Sequence, residues 1–335
     1  MEIRKVQMTG GSSYIISLPK EWIKSFNIKK NDPLGIIIQP DGSLTLTPEL
    51  SGKPLETVKE FKLEDIDDPE FLYRSLIGAY VSGFNTIKIT SARRIPSYVH
   101  KAVRMFTQVS VGQEVSEETG KMIIIKDLLN PGEMPFKSTI QRMYVIVGGM
   151  EKDAIFALKS RDVELAKDVI VRDRDVNRLY WLIARQYNLL IRNVSLSREM
   201  GMDVEQALNY LQISRVIERM GDQVVKIAEN VLTLMYVSID KKMMDAIEIV
   251  SRESLEIFDA SIMSFYNKDI HLSNNTISRV ETFGGRCDAI SHDLFDLGKP
   301  GVVSIGYIIE NLKRVGEYSG VISETVINYL VAEKS

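Results

Sequence analysis

The apolar residues of this chain change rhythm twice. Up to about residue 48 they fall in short runs: residues 5 to 9 read as an extended stretch, and Tyr14, Ile16 and Leu18 alternate after Gly10-Gly11-Ser12, with the two-residue period of a β-strand. Pro19 suits the first turn of a helix running to Phe26. A helix that short is not stable alone, so Trp22, Ile23 and Phe26 are expected to pack on the strands. Leu34 to Gln39 and Ser43 to Thr47 follow as strands, joined across the turn residues Pro40-Asp41-Gly42. A module of about 50 residues with so small a core predicts a dimer, because its strand edges and apolar faces otherwise stay open.

From residue 61 to 127 the pattern is mixed. It predicts a helix over Pro69 to Val81, a strand at Thr86 to Thr90, a helix over Pro96 to Phe106, and strands near Val109 to Val115 and Lys121 to Ile125. Short helices against a small sheet make an α/β sandwich. Asp67-Asp68 before Pro69 reads as a helix cap. Beyond Pro135 the period lengthens and strand signals stop, giving six helices at about 135–158, 162–194, 203–237, 240–267, 274–297 and 303–332. In the third, Ile213, Ile217, Met220, Val224, Ile227, Val231 and Leu234 form the stripe that buries one face in a bundle. The second carries Ala166, Val169, Val176, Tyr180, Ile183, Tyr187, Leu190 and Val194 on the same rhythm.

Polar residues placed against this rhythm are the candidate chemistry. Asp173 falls on the stripe between Val169 and Val176, where a charge is costly unless it is paired, hydrogen-bonded or metal-bound. Glu218 and Asp222 share a helical face roughly opposite the Met220 stripe. Their repulsion is relieved either by a cation that takes oxygen ligands or by the neighbouring Arg215 and Arg219 on a plain polar face. Asp288 and His292 repeat the spacing, with the same two readings. Arg93 and Arg94, with His100 and Lys101 nearby, form an anion candidate or a solvated helix flank. Gly221 and Gly316 suit close approach between helices.

Composition narrows the class. With 335 residues, 44% of them apolar, the chain can bury the cores of two or three domains. A single cysteine, Cys287, excludes internal disulfides and any multi-thiolate metal site. No apolar run follows the first residues and none reaches membrane-spanning length, so a cytoplasmic location is the default expectation. The net charge of -3 argues against extended wrapping of nucleic acid. Residues 1 to 34 nonetheless hold six basic and three acidic side chains, enough in a dimer to neutralise several phosphates. No nucleophile, histidine base or phosphate-gripping loop accompanies Glu218 and Asp222, so an enzyme is not expected.

Two stretches carry family resemblances. Gly10-Gly11-Ser12-Ser13-Tyr14-Ile15-Ile16-Ser17-Leu18-Pro19-Lys20, followed by Asp32 and Gly42-Ser43-Leu44, resembles the AbrB/SpoVT/MazE swapped-hairpin DNA-binding domain, with Asn31 where that family has glycine. The resemblance implies a homodimer with interleaved strands. It also implies contact with double-stranded DNA through strand and loop residues, here the basic Arg4, Lys5 and Lys20 together with Ser12. Asp173-Arg174-Asp175-Val176-Asn177-Arg178-Leu179 and the run from Ile217 to Glu229 resemble the PhoU family of phosphate-uptake regulators, which is built from two three-helix repeats. That resemblance implies iron or zinc, with magnesium as a further candidate, held mainly in the first repeat by Asp173, Asn177, Glu218 and Asp222. The second repeat departs from it. Arg314, Gly316 and Glu317 match Arg219, Gly221 and Asp222, but Lys313 stands where Glu218 does, and Glu281 is the candidate counterpart of Asp173.

The expected architecture is multidomain. A swapped-hairpin head lies at 1–50, an α/β sandwich linker domain at 60–130, and an all-α bundle of two three-helix repeats at 135–238 and 239–333. The implied function is a DNA-binding, negative transcriptional regulator of phosphate uptake and homeostasis. The alternative is an adaptor that docks on a phosphate transporter or sensor protein, its head serving only to dimerise.

Overall fold

Two compact units, residues 1–55 and 56–335, make up the protein. The structure, a computed structural model, describes residues 2–38, 42–48, 57–295 and 301–332. In the first unit β1 (Gln7–Thr9) and β2 (Ser13–Ile15) form an antiparallel hairpin. Gly10 and Gly11 turn it at φ of +61° and +82°, a left-handed geometry that side chains resist. The second strand is shorter than its alternation predicts, for Ile16 and Leu18 lie beyond it on the approach to Pro19 and α1 (Lys20–Ser25). A second antiparallel hairpin joins β3 (Gly35–Ile38) to β4 (Leu44–Thr47). Gln39 and the turn residues Pro40 and Asp41 lie outside the described residues. Packing is thin. Trp22 stacks on Phe26 with ring centroids 5.7 Å apart, and Ile37 is buried, but Met8, Tyr14, Phe26, Ile36, Ile38 and Leu44 are exposed.

The second unit opens with a four-stranded sheet. β5 (Val58–Lys62), α2 (Pro69–Val81), β6 (Thr86–Thr90), α3 (Ser97–Val109), β7 (Gln113–Glu118) and β8 (Met122–Asp127) follow in order. The strands lie in the order β5-β6-β8-β7, parallel between β5 and β6 and antiparallel elsewhere. The apolar pattern predicts no counterpart to β5. That edge strand carries Lys59, Glu60 and Lys62 among its five residues and shows little apolar alternation. Val109 ends α3 instead of starting a strand, and Ser110 closes the helix by donating its hydroxyl to the Phe106 carbonyl at 2.7 Å. Ile87, Ile89, Ile123 and Ile125 form the inner face of the sheet, against Leu72, Leu76 and Tyr80 of α2 and Val99 and Phe106 of α3.

The rest is helical. The first repeat comprises α4 (Phe136–Ser160), α5 (Val163–Leu190) and, after the short α6 (Val194–Glu199), α7 (Val204–Leu234). The second comprises α8 (Lys241–Asn267), α9 (Ile270–Phe295) and α10 (Val302–Ala332). Aspartates start these helices by accepting backbone N–H bonds: Asp162 from Leu165 at 3.0 Å, Asp203 from Gln206 at 2.7 Å, Asp240 from Met243 at 2.9 Å and Asp269 from Leu272 at 2.9 Å. The cap at Asp269 starts α9 at Ile270, earlier than its apolar rhythm predicts. Helix α5 ends at Leu190, short of the expected 194, and Asn193 caps the next helix by accepting from Leu196 N–H at 3.2 Å. The long α7 and α10 pack on each other and α4 meets α8, so both repeats share one apolar core.

One buried side chain ties sheet to bundle. Arg185 of α5 donates to the carbonyls of Tyr80 at 2.6 Å and Phe84 at 2.9 Å, ion-pairs with Asp127 of β8, and lies over the Tyr80 ring at 4.9 Å. Trp181, one turn earlier, packs half-buried against the core of the sheet domain. Among the described residues no helix is long and apolar enough to cross a membrane.

Candidate functional site

Helices α5 and α7 cross closely at Gly221. A Cβ there would lie 3.3 Å from Asp173 Oδ1, so the missing side chain leaves room for a carboxylate reaching over from α5. Asn177, one turn along α5, donates its Nδ2 to Asp173 Oδ2 at 2.7 Å, while the buried Oδ1 has no hydrogen-bond partner. Asp173, Glu218 and Asp222 form one electrostatic group. Burial, followed by repulsion from Asp222, pushes the Asp173 carboxyl up to about 6. Burial also pushes Glu218 up, to about 7, with Asp222 and then Asp173 adding to it. Asp222 is raised by burial against the pull of Lys226 and Arg219. The helical crossing thereby brings a stripe residue and an off-stripe residue into electrostatic range.

The expected iron, zinc or magnesium site at Asp173, Asn177, Glu218 and Asp222 requires correction. Among the described residues, no group of three or more His, Cys, Asp or Glu side chains is placed to hold a metal ion. Proximity is not coordination. Asp173 gives one oxygen to the Asn177 amide and turns the other toward Gly221. Burial first, and then carboxylate repulsion, favours proton uptake at Asp173 and Glu218.

The second repeat fills the equivalent place differently. A Cβ on Gly316 would lie 2.6 Å and 2.7 Å from two ring carbons of Phe283, which α9 presents fully buried. Lys313 donates to Asp288 Oδ1 at 2.6 Å, and this bond raises the ammonium group above its ordinary value. Asp288 is thus engaged by Lys313, and Arg314 lies 3.2 Å from Glu310 and 3.9 Å from Glu317. Glu281 is exposed, and Phe283 is the residue in contact with Gly316. Matching carboxylate to carboxylate between the repeats passes over Phe283. A second omission is Glu151, fully buried on α4 one turn after Val147 and one residue after Met150. Its place on an apolar stripe is the same signal that singles out Asp173.

In the N-terminal unit Arg4, Lys5, Ser12 and Lys20 are all exposed, with Ser12 in the turn of the first hairpin and Arg4 ion-paired to Glu2. His100 of the sheet domain lies 3.1 Å from Glu118 of β7, while Arg93 and Arg94 are exposed.

These features define a class: a duplicated three-helix bundle carried with a small sheet domain and preceded by a hairpin module. Family models place it further. Residues 140–231 match the PhoU domain, and residues 7–54 match the family described as antidote-toxin recognition MazE, bacterial antitoxin. The chain therefore joins a PhoU-family domain to a MazE-like N-terminal module. Similar proteins include the phosphate-specific transport system accessory protein PhoU homolog of Caulobacter vibrioides strain NA1000 / CB15N, 25% identical over 205 residues that cover 58% of this chain and 86% of that protein. The homolog of the same name from Aquifex aeolicus is 28% identical over 158 residues, 47% of this chain and 68% of that one. In fold the chain resembles PhoU from Pseudomonas aeruginosa, with a TM-score of 0.54 at 20% identity over 59% of this chain and 96% of the other. The phosphate transport system regulatory protein PhoU from Streptococcus pneumoniae gives a TM-score of 0.51 at 20% identity, over 59% and 94%.

Proposed function

We propose that this protein regulates phosphate uptake as an adaptor, docking through its helical bundle on a phosphate transporter or on the sensor that controls it. The observation that carries this reading is the PhoU match across α4 to α7, in company with relatives named as accessory proteins of a phosphate-specific transport system. The N-terminal unit then serves as the dimerisation module. Met8, Tyr14, Ile36, Ile38 and Leu44 are exposed on it, and a second copy of the unit is the surface that would cover them.

A second reading keeps the same regulatory role and adds DNA binding. It is supported by the exposure of Arg4, Lys5, Ser12 and Lys20 in a segment holding six basic and three acidic residues. Phosphate contacts of that kind give affinity that falls with salt. The test is phosphate uptake in a strain lacking the gene, complemented with the native chain or with Arg4→Ala/Lys5→Ala/Lys20→Ala. Restoration of control by the triple variant supports the adaptor. Failure of the variant, together with loss of salt-dependent binding to its upstream DNA, supports the DNA reading. Unchanged uptake in the deletion strain, in both phosphate-rich and phosphate-poor medium, refutes the regulatory role.

A further inference from the structure

A carboxyl group lies inside the seam where the two helical repeats meet. Glu151 of α4 is fully buried. Ser251 donates its hydroxyl to Glu151 Oε1 at 2.9 Å and Ser254 lies 3.4 Å from Oε2, both serines belonging to α8. Ser254 Oγ is also 3.4 Å from the Leu312 carbonyl oxygen of α10. One helix of the first repeat and one of the second therefore meet at a single acid, and Ser254 extends the contact to α10. Among the described residues the charges that act on it are Lys152, next to it on α4, and Asp259 of α8, which oppose each other. Lys152 is exposed, Asp259 is held by the Tyr144 hydroxyl at 2.7 Å, and α10 presents a carbonyl to Ser254. Neighbouring charges are committed elsewhere. Asp153 pairs with Arg172 of α5 at 2.6 Å, and Lys159 with Glu248 of α8 at 2.6 Å.

We propose that Glu151, Ser251 and Ser254 form a proton-dependent latch between the two repeats, closed while Glu151 is the neutral acid and loosened when it ionises. As an acid the group fits its surroundings, because a serine hydroxyl can accept its proton in a hydrogen bond as readily as donate one. As a carboxylate it is a buried charge with two hydroxyl donors and, among the described residues, no salt-bridge partner, which an apolar interior resists strongly. Burial pushes the carboxyl up to about 8, with the two serines and Lys152 pulling the other way. The sign follows from that direction. A carboxyl raised on folding contributes stability that is complete below its ordinary range and is lost as pH climbs to the folded value, so the latch weakens between about pH 4.5 and pH 8.

The test compares the full chain with Glu151→Gln, which keeps the shape and removes the titration. Thermal unfolding is followed from pH 6 to pH 9, with hydrogen exchange read on the α4 and α8 segments around residues 151 and 251 to 254. The expected result is a gap in unfolding midpoint that moves against the native chain by about 2 °C for each pH unit between 6 and 8. Protection in those segments, taken relative to the intrinsic base-catalysed exchange rate at each pH, falls several-fold as pH rises in the native chain and stays constant in Glu151→Gln. Asp173 and Glu218 titrate in a similar range but are common to both proteins, so they drop out of the comparison. A gap that stays constant with pH overturns the latch. If Glu151→Gln does not fold, Ser251→Ala decides: losing a donor to the carboxylate must move the native transition to higher pH, and an unmoved transition overturns the proposal equally.

Discussion

The third helix of each repeat carries a glycine at the same point, and what each glycine faces is opposite in kind. Gly221 of α7 makes room for the Asp173 carboxylate, whereas Gly316 of α10 makes room for the Phe283 ring. Near the first glycine stand Glu218 and Asp222, both raised, with Asp222 repelling Asp173 and Asp173 repelling Glu218. Near the second stand Lys313 and Asp288, joined at 2.6 Å. The same close helix approach therefore serves two ends. In the second repeat it buries an aromatic ring and pairs its charges, which stabilises the bundle. In the first it gathers three carboxyl groups whose proton affinity is raised by burial, with mutual repulsion adding to it for Asp173 and Glu218.

The largest break in this contrast comes from truncating the ring. Phe283→Ala removes a fully buried phenyl group and leaves a cavity between α9 and α10. A loss of about 3–5 kcal/mol is expected, read as a lowered midpoint in urea unfolding. Asp173→Asn, on the other side of the comparison, should cost far less or stabilise, because it removes a repelling charge and keeps the size of the side chain. Equal losses would show that the two crossings are energetically alike and that the contrast is only chemical.

Filling the glycines comes next. A methyl group at Gly316 meets ring carbons at 2.6 Å and 2.7 Å, and a ring packed on all sides cannot give way cheaply. Gly316→Ala is expected to cost about 1–3 kcal/mol through overpacking. At Gly221 the nearest atom is a carboxylate oxygen at 3.3 Å, on a side chain able to turn. The gain of about 1 kcal/mol for alanine over glycine inside a helix then offsets most of the crowding. Gly221→Ala should leave the thermal midpoint nearly unchanged. A Gly221→Ala loss as large as that of Gly316→Ala would mean that Asp173 is as rigidly held as Phe283.

Charge reversal in the second repeat sharpens the contrast with a smaller effect. Lys313→Glu puts a carboxylate where the first repeat has Glu218 and breaks the pair with Asp288, whose side chain is 64% exposed. With Asp288 open to solvent and Lys313 20% exposed, the pair contributes about 1 kcal/mol, so the stability loss is modest. The informative readout is pH dependence. The introduced carboxylate, beside Asp288 and Glu317, should make unfolding more sensitive to pH between about 4 and 6 than it is in the native chain.

The parts of this picture legible in the sequence are those whose signal is local and repeated. Helix α7 announces itself through a stripe from Ile213 to Leu234, and Asp173 stands out because it interrupts the equivalent stripe of α5. Glu151 interrupts α4 in the same manner between Val147 and Ala154, so it is equally readable once every stripe is searched for charges. Strand β5 is different. Pairing with β6 holds its backbone, and its charged side chains carry no pattern that distinguishes an edge strand from a loop. The Arg185–Asp127 pair joins residues far apart in the chain, and neither neighbourhood points to the other. Spacing shows that Glu218 and Asp222 share a face, and the family resemblance adds Asp173 to them. Neither fixes where the oxygens point, and coordination of a metal depends on that.

The smallest expected effect is the most direct measure of the difference between the repeats. Asp173 is raised to about 6 and Glu218 to about 7, both chiefly by burial, so each binds its proton more tightly in the folded protein than in the unfolded chain. Their contribution is therefore complete at pH values below the ordinary carboxylate range, and it is lost as pH rises through about 6 and about 7. Both groups are only half-buried, and solvent screening reduces the effect to about 1 °C per pH unit in the unfolding midpoint. Asp173→Asn with Glu218→Gln should reduce the slope between pH 5 and pH 7 by that amount and leave the part due to Glu151, whereas Asp288→Asn in the second repeat should leave the whole slope in place. A slope left unchanged by the first pair of substitutions and reduced by Asp288→Asn would place the proton-linked repeat at the other end of the bundle.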